Sequence, residues 1–351
     1  MTHLTIGGRR IGAGEPVYVI AEMSANHNGS LEEALRLVEA ARDAGADAIK
    51  LQTYTPDTLT IACDNGHFTV GDGTPWAGRT LHDLYAEAYT PWEWQPRLKA
   101  AAEALGLHCF STPFDGTAVD FLERLGVPAY KIASFELVDL PLVRRVAATG
   151  KPLIMSTGMA SLAEVDEAVR AAREAGASEI ALLKCTSAYP APASEMNLRT
   201  IPHLASAFGV PAGLSDHTLG IAAPVAAVAL GASIVEKHFT LSREAPGPDS
   251  AFSLEPHEFR AMVDAIRVAE AAAGEVRYGT GEREAGSRVF RRSLFVVADV
   301  CAGEPFTPAN VRSIRPGAGL PPKHLPEVLG RRAARDVARG TPLAWAHVAG
   351  T

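Results

Sequence analysis

The chain is 351 residues long and sets 33 Lys and Arg against 40 Asp and Glu, a net charge of −7, which excludes nucleic acid as a natural partner because phosphate backbones demand a basic surface. With 47% hydrophobic and 21% charged residues it is neither disordered nor fibrous. The most apolar run, 219–235, contains Pro224 and two glycines and falls short of the ~18–20 residues that cross a bilayer, so no membrane partner is expected.

Taken in order, residues 3–12 around Gly7-Gly8 read as a hairpin under whatever follows. Short β-rich runs bounded by Gly or Pro then recur at 17–22, 47–52, 107–111, 129–133, 152–156, 179–185, 210–214 and 232–237. Helical runs separate them. Ser30-Leu-Glu-Glu33 opens an apolar-periodic stretch ending at Ala44-Gly45-Ala46, and Ser161-Leu-Ala-Glu164 opens another ending at Ala175-Gly176-Ala177. Each opening has the form of a capping box, and each Gly suits the left-handed position that ends a helix. Leu230-Gly231-Ala232 repeats that ending before the last run. Eight strands alternating with helices predict an α/β fold, a (β/α)8 TIM barrel, over 1–282 with the hairpin included. Residues 54–90 exceed an ordinary βα loop and are expected to form an excursion over the site. From Ser287 the texture changes: a strand over 293–300, a turn at Gly303-Glu304 and a strand over 311–315 predict a small second domain, 287–351.

Every predicted barrel strand ends in reactive or hydrogen-bonding groups, and barrel active sites lie at the C-terminal strand ends. His217 and His238 close strands predicted to be neighbours, so neutral imidazoles there suit a divalent metal, with Glu236 or Asp249 completing the shell directly or through water. Lys50 and Lys131, among hydroxyls at strand ends three to seven, describe a site for a small phosphorylated metabolite. A lysine there also suits a Schiff base, as in metal-free aldolases. Pairing with Glu22 or Glu136 for stability is the plain alternative. Glu22 and Glu136 are candidates for proton transfer or for holding sugar hydroxyls. Tyr189 offers a phenol, and Cys185 reads as a small buried filler.

Ala21-Glu22-Met-Ser-Ala-Asn-His-Asn-Gly29, Lys50-Leu-Gln52, Phe110-Ser-Thr-Pro-Phe-Asp115, Lys131-Ile-Ala-Ser-Phe-Glu136, Ser156-Thr-Gly-Met159, Cys185-Thr-Ser187, Gly213-Leu-Ser-Asp-His-Thr218 and Glu236-Lys-His-Phe239 resemble the nonulosonic (sialic) acid synthases. The tail, Arg291-Arg-Ser293 through Arg315-Pro-Gly317, resembles the antifreeze-like (SAF) domain that follows the barrel in that family. Within the family, Leu51-Gln-Thr-Tyr-Thr55, Ala88-Tyr-Thr-Pro-Trp-Glu-Trp94, Phe135 before Glu136 and Asp249-Ser-Ala-Phe-Ser-Leu254 look most like the pseudaminic acid branch.

The resemblance implies condensation of phosphoenolpyruvate with an open-chain amino-sugar aldehyde and water, releasing phosphate. The aldehyde of the pseudaminic branch is 2,4-diacetamido-2,4,6-trideoxy-L-altrose; N-acetylneuraminate and legionaminate synthesis are the neighbouring alternatives. It also implies Mn²⁺, with Mg²⁺ or Co²⁺ as alternatives, at His217 and His238. Lys50, Thr112, Lys131, Ser134, Ser156, Ser187 and Ser215 match positions around the phosphate. Gln52 and Glu236 stand beside them, Glu136, Tyr189 and Asp249 match sugar-side positions, and Arg315 matches an arginine that one subunit's tail offers to the other's sugar. The aromatic character of 88–94 and Phe135 suits a C6 methyl and a second acetamido group.

Three readings stand at this point: a metal-dependent synthase, a Schiff-base aldolase using Lys131, and a sugar- or ice-binding protein. Thr307, Thr341 and Thr351 form no regular ladder in the tail, which argues against an ice-binding face. A tail of about 65 residues buries little surface alone, predicting a domain-swapped homodimer. The first ten residues hold no apolar segment of the signal type, and Cys63, Cys109, Cys185 and Cys301 lack paired spacing, so the expected compartment is a reducing cytoplasm.

Overall fold

The structure, a computed structural model, describes residues 3–350 except Pro75 and Pro246. It divides into two compact units, Met1–Gly274 and Glu275–Thr351.

In the first unit a hairpin of β1 (Leu4–Ile6) and β2 (Arg9–Ile11) precedes eight parallel strands: β3 (Tyr18–Glu22), β4 (Ala48–Thr53), β5 (His108–Pro113), β6 (Tyr130–Ile132), β7 (Leu153–Ser156), β8 (Ile180–Cys185), β9 (Ala212–Asp216) and β10 (Ile234–His238). They close in sequence order, β10 pairing with β3. The predicted barrel is therefore present, each strand within two residues of its expected bounds. Val19, Ala21, Ile49, Leu51 and Val235 pack outward with helix residues such as Leu37, Val38, Phe259 and Met262, leaving the alternate residues for the lumen. Leu4, Ile6 and Ile11 are fully buried in one cluster with Tyr18, Ile20, Ala48 and Phe110. A Cβ at Gly7 would lie 2.3 Å from His108 Nε2, so the turn closes the barrel floor only as glycine.

The helix signals hold with one difference. Ser161 accepts from Glu164 N and Glu164 returns the bond to Ser161 N at 2.7 Å, a full capping box. Ser30 accepts from Glu33 N at 3.3 Å, but Glu33 carboxylate pairs with Arg36 and the return bond is absent. Gly45, Gly176 and Gly231 have φ of +88°, +106° and +96°, the left-handed stops expected from the sequence. Residues 54–90 form the expected excursion, with helices Pro56–Leu59 and Leu81–Ala88 and a bridge between Thr69 and Thr80. No helix among the described residues is long and apolar enough to cross a membrane.

In the second unit β11 (Ser293–Val296) and β12 (Val311–Ile314) pair antiparallel. The first strand is shorter than the sequence suggests, because its ladder ends at Val296 and Val300 bridges Val337 instead. Leu294, Val296, Val300, Phe306, Val311, Val328, Leu343 and Val348 make a separate small core. Residues 275–351 carry 12 Lys and Arg against 7 Asp and Glu, a net +5, whereas residues 1–274 carry 21 against 33, a net −12.

Candidate active site

Polar side chains at the C-terminal ends of the strands join into one buried network. Glu22 and Lys50, register partners on β3 and β4, form an ion pair at 2.8 Å. Glu236 on β10 stands between the two lysines, 3.5 Å from Lys50 Nζ and 3.6 Å from Lys131 Nζ. Lys50 donates to Thr112 (3.2 Å), Lys131 to Ser156 (2.6 Å), and Ser215 to Glu236 (3.1 Å). On the other flank Gln52 donates to Glu22 (3.0 Å) and to Ser24 (2.9 Å), and Ser24 donates to Asp249. Side chains from strands as far apart as β4 and β7 thus meet in the lumen.

The lysines share two buried carboxylates, which sets their charge. Burial raises the Glu22 pKa, against the pull of Lys50. Burial also opposes ionisation of Glu236, but Lys131 and Lys50 outweigh it and hold Glu236 below its usual range. For Lys50 the Glu22 and Glu236 charges overcome desolvation and raise its pKa, whereas desolvation wins at Lys131. A cluster that retains Lys50 as a cation is predisposed to accept an anion. Lys131 Nζ has two hydrogen-bond acceptors, Ser156 Oγ and the Ile132 carbonyl at 3.3 Å, and Glu236 as its ion-pair partner. These contacts fix the position of the Lys131 amine within the network.

Ser134 and Ser187 converge beside the strand β7 end. Ser134 Oγ accepts from Gly158 N at 3.0 Å, and a Cβ on Gly158 would lie 2.3 Å from Ser187 Oγ. Cys185 lies 3.9 Å from both Ser187 Oγ and His217 Nδ1. The thiol is buried, as expected; burial raises its pKa, but His217 brings it down to about 7.

The two histidine rings stand 5.2 Å apart, centroid to centroid. His217 Nδ1 is engaged by the Thr186 carbonyl at 2.9 Å, leaving Nε2 for another ligand. His238 Nδ1 is buried without a hydrogen-bond partner among the described residues. Burial, with His217 beside it, keeps His238 neutral well below its ordinary pKa. Burial lowers the His217 pKa, but Cys185 and the Thr186 carbonyl outweigh it and raise it; once both rings are neutral, one oriented and one orphaned nitrogen fit a transition-metal ion. No group of three or more His, Cys, Asp or Glu converges for that purpose among the described residues. Of the expected carboxylates, Glu236 engages the lysines through Oε1 while its buried Oε2 has no hydrogen-bond partner among the described residues, and Asp249 Oδ2 accepts from Ser24. The residues present fit a metal held by two histidines, with its other positions left to substrate and water.

Tyr189 lies 4.3 Å from the His217 ring and 5.2 Å from Phe252, which is 5.1 Å from His238. Trp76, on the excursion, lies tilted against Tyr189 at 5.6 Å and donates Nε1 to the Pro248 carbonyl. These rings, not 88–94, form the aromatic wall of the site. Trp92 packs on Phe121 at 4.9 Å and Trp94 edges onto His27, so that segment serves the scaffold, and Phe135 is 57% exposed. Glu136 is mostly buried, its Oε2 has no partner among the described residues, and desolvation pushes its pKa up to about 7. Arg315 stands exposed after β12 in the second unit.

Ser24 was not singled out by sequence reasoning, although it lies two residues beyond Glu22 at a strand end. Its φ of +46°, uncommon for a side-chain-bearing residue, accompanies a hydroxyl that bridges Gln52 and Asp249. Gly158, Trp76 and Phe252 were likewise invisible as site residues, because their partners are distant in sequence.

Residues 37–278 match the NeuB family and residues 291–349 the SAF domain. The chain is 47% identical to a pseudaminic acid synthase of Campylobacter jejuni over 93% of this chain and 95% of that protein. It is 43% identical to a pseudaminic acid synthase of Helicobacter pylori, over 94% and 97%. Among solved structures, the N-acetylneuraminic acid synthetase of Leptospira borgpetersenii, in complex with citrate, matches with a TM-score of 0.73 at 32% identity, covering 82% of this chain and 95% of that one.

Proposed function

The chain belongs to the NeuB family, and from that premise we propose that it is a pseudaminic acid synthase joining phosphoenolpyruvate to 2,4-diacetamido-2,4,6-trideoxy-L-altrose. The observation that carries this reading is the pair of buried lysines, bridged by Glu236, at the mouth of a barrel whose chain is 47% identical to an enzyme of that name.

The phosphate of phosphoenolpyruvate is taken by Lys50 and Lys131, with Thr112, Ser134, Ser156, Ser187 and Ser215 as neutral donors around it. Its enol carbon attacks the aldehyde carbon, forming the new C–C bond, and water adds at C2. The C2–O bond then breaks and phosphate leaves. Water gives up two protons, one as it attacks C2 and one as the C2–O bond breaks and the ketone forms, and these end on the aldehyde oxygen and on the departing phosphate. Glu22, tied to Lys50 at the phosphate end, takes the proton from water. Glu136, with a pKa of about 7, supplies the proton at the aldehyde oxygen. Asp249, held through Ser24, binds sugar hydroxyls, and Trp76, Tyr189 and Phe252 face its methyl groups. Mn²⁺ at His217 and His238 would supply Lewis acidity toward the aldehyde oxygen.

The tail belongs to a domain-swapped homodimer in which Arg315 reaches the partner's sugar. Its net +5 against the −12 of residues 1–274 favours docking on a barrel, and a C2 dimer gives each subunit what it lends. A substrate that is an intermediate of central metabolism places the enzyme in the cytoplasm.

The test is phosphate release with a panel of amino sugars. The 2,4-diacetamido-2,4,6-trideoxy hexose should give the highest kcat/KM. A higher value for N-acetylmannosamine overturns the substrate assignment.

A further inference from the structure

We propose that Lys237 and Asp216 form a clamp on the outer face of the barrel that fixes the spacing of His217 and His238. The inference rests on the metal reading of that histidine pair.

Asp216 directly precedes His217, and Lys237 directly precedes His238. They are register partners across β9 and β10. Because side chains alternate along a strand, Ser215, Glu236 and the histidines face the lumen while Asp216 and Lys237 face the helix layer. Both outward side chains are fully buried, and Lys237 Nζ lies 2.5 Å from Asp216 Oδ2. The same ammonium donates to the Thr218 carbonyl. Asp216 in turn accepts from Thr218 N through Oδ1 and from Thr218 Oγ1 through Oδ2, each at 3.0 Å. His217 is therefore held by the residues on both sides of it, and both are anchored to the residue before His238.

Stability alone does not call for this arrangement. A buried ion pair exchanged for apolar side chains of similar volume is often neutral or stabilising, and the next register pair on the same face, Val235 with Leu214, is apolar and fully buried. What the ion pair adds is geometry. A centre with two protein ligands has no third side chain to define the separation of the first two, so that separation falls to the backbone and its supporting contacts. The clamp joins the two backbones one residue away from each ligand.

Lys237 and Asp216 are positioning residues, and the test is Mn²⁺ affinity of the chelator-stripped full chain, read from free Mn²⁺ by electron paramagnetic resonance. Lys237→Met and the double variant Asp216→Asn/Lys237→Met are compared with wild type; the double variant avoids stranding a buried carboxylate if the single one folds poorly. The expected result is a Kd for Mn²⁺ raised about 10- to 100-fold, with the phosphoenolpyruvate Kd within twofold of wild type and a cooperative thermal transition retained. A folded variant whose Mn²⁺ Kd stays within threefold of wild type overturns the clamp, as does weakened Mn²⁺ binding that appears only with a lost thermal transition. His238→Ala separates the two levels. If it binds Mn²⁺ as tightly as wild type, the metal reading fails; if it loses Mn²⁺ while Lys237→Met retains it, the clamp alone fails.

Discussion

Ser134 and Ser187, carried by loops after β6 and β8, converge on the α-carbon of Gly158, where an added Cβ would stand 2.6 Å from one hydroxyl and 2.3 Å from the other. Ser134 accepts from the Gly158 N–H, which orients its hydroxyl. A methyl group there displaces both hydroxyls by rotation without disturbing a strand. Gly158→Ala should raise the KM for phosphoenolpyruvate about 10- to 100-fold, the loss of one or two hydrogen bonds to a charged ligand at ~1.5–3 kcal/mol. The melting temperature should not change. An unaltered KM would separate these serines from the phosphate.

Glu136 gives a pH signature with a defined sign. Its pKa rises from 4.5 to about 7 on folding because its carboxyl is desolvated. The native state therefore binds the proton more tightly than the unfolded chain. That contribution to stability is complete below pH 4.5 and is lost as pH rises through 7. Glu136→Gln, neutral at every pH, should be more stable than wild type at pH 8 by up to about 3 kcal/mol and gain little at pH 5, measured by denaturant unfolding. It should also remove the limb near pH 7 from the kcat profile. Equal stability differences at both pH values would remove Glu136 as the group with the raised pKa.

Metal removal separates the synthase from the aldolase. Turnover should fall to background in excess chelator and return with Mn²⁺. His217→Ala and His238→Ala should remain folded and inactive, since ligands at a barrel mouth contribute little to its packing. Full turnover in chelator, with borohydride trapping of Lys131, is the outcome that favours the Schiff base.

The barrel was legible because its signals are local: capping serines, left-handed glycines, and polar groups at strand ends every few dozen residues. The lysines, histidines and strand-end hydroxyls follow from the same logic, since closure brings all eight ends together. Loops broke the inference. The aromatic run 88–94 has the composition of a binding wall, yet Trp92 is satisfied by Phe121 and by a bond to the Tyr54 carbonyl. The wall comes instead from Trp76, Tyr189 and Phe252, drawn together from three segments whose pairing no periodicity records. Asp249 likewise looked like a metal ligand by proximity to His238, and only the left-handed turn at Ser24 reveals its partner.

The swapped dimer is tested by complementation. Arg315 is exposed at the end of β12, on a unit whose net charge is opposite to that of residues 1–274. A His238→Ala subunit has a defective barrel and an intact tail; an Arg315→Ala subunit has the reverse. If the tail serves the partner, their heterodimer contains one barrel with both His238 and an incoming Arg315. Mixed in equal amounts under exchange conditions, half of the dimers are mixed and each has one of two sites, so activity should approach about a quarter of wild type. If Arg315 serves its own barrel, the heterodimer has no intact site. A mixture no more active than the separate variants would rule out the exchange, and unexchanged dimers are detected in the same sample by tagging the two variants differently and measuring their co-purification.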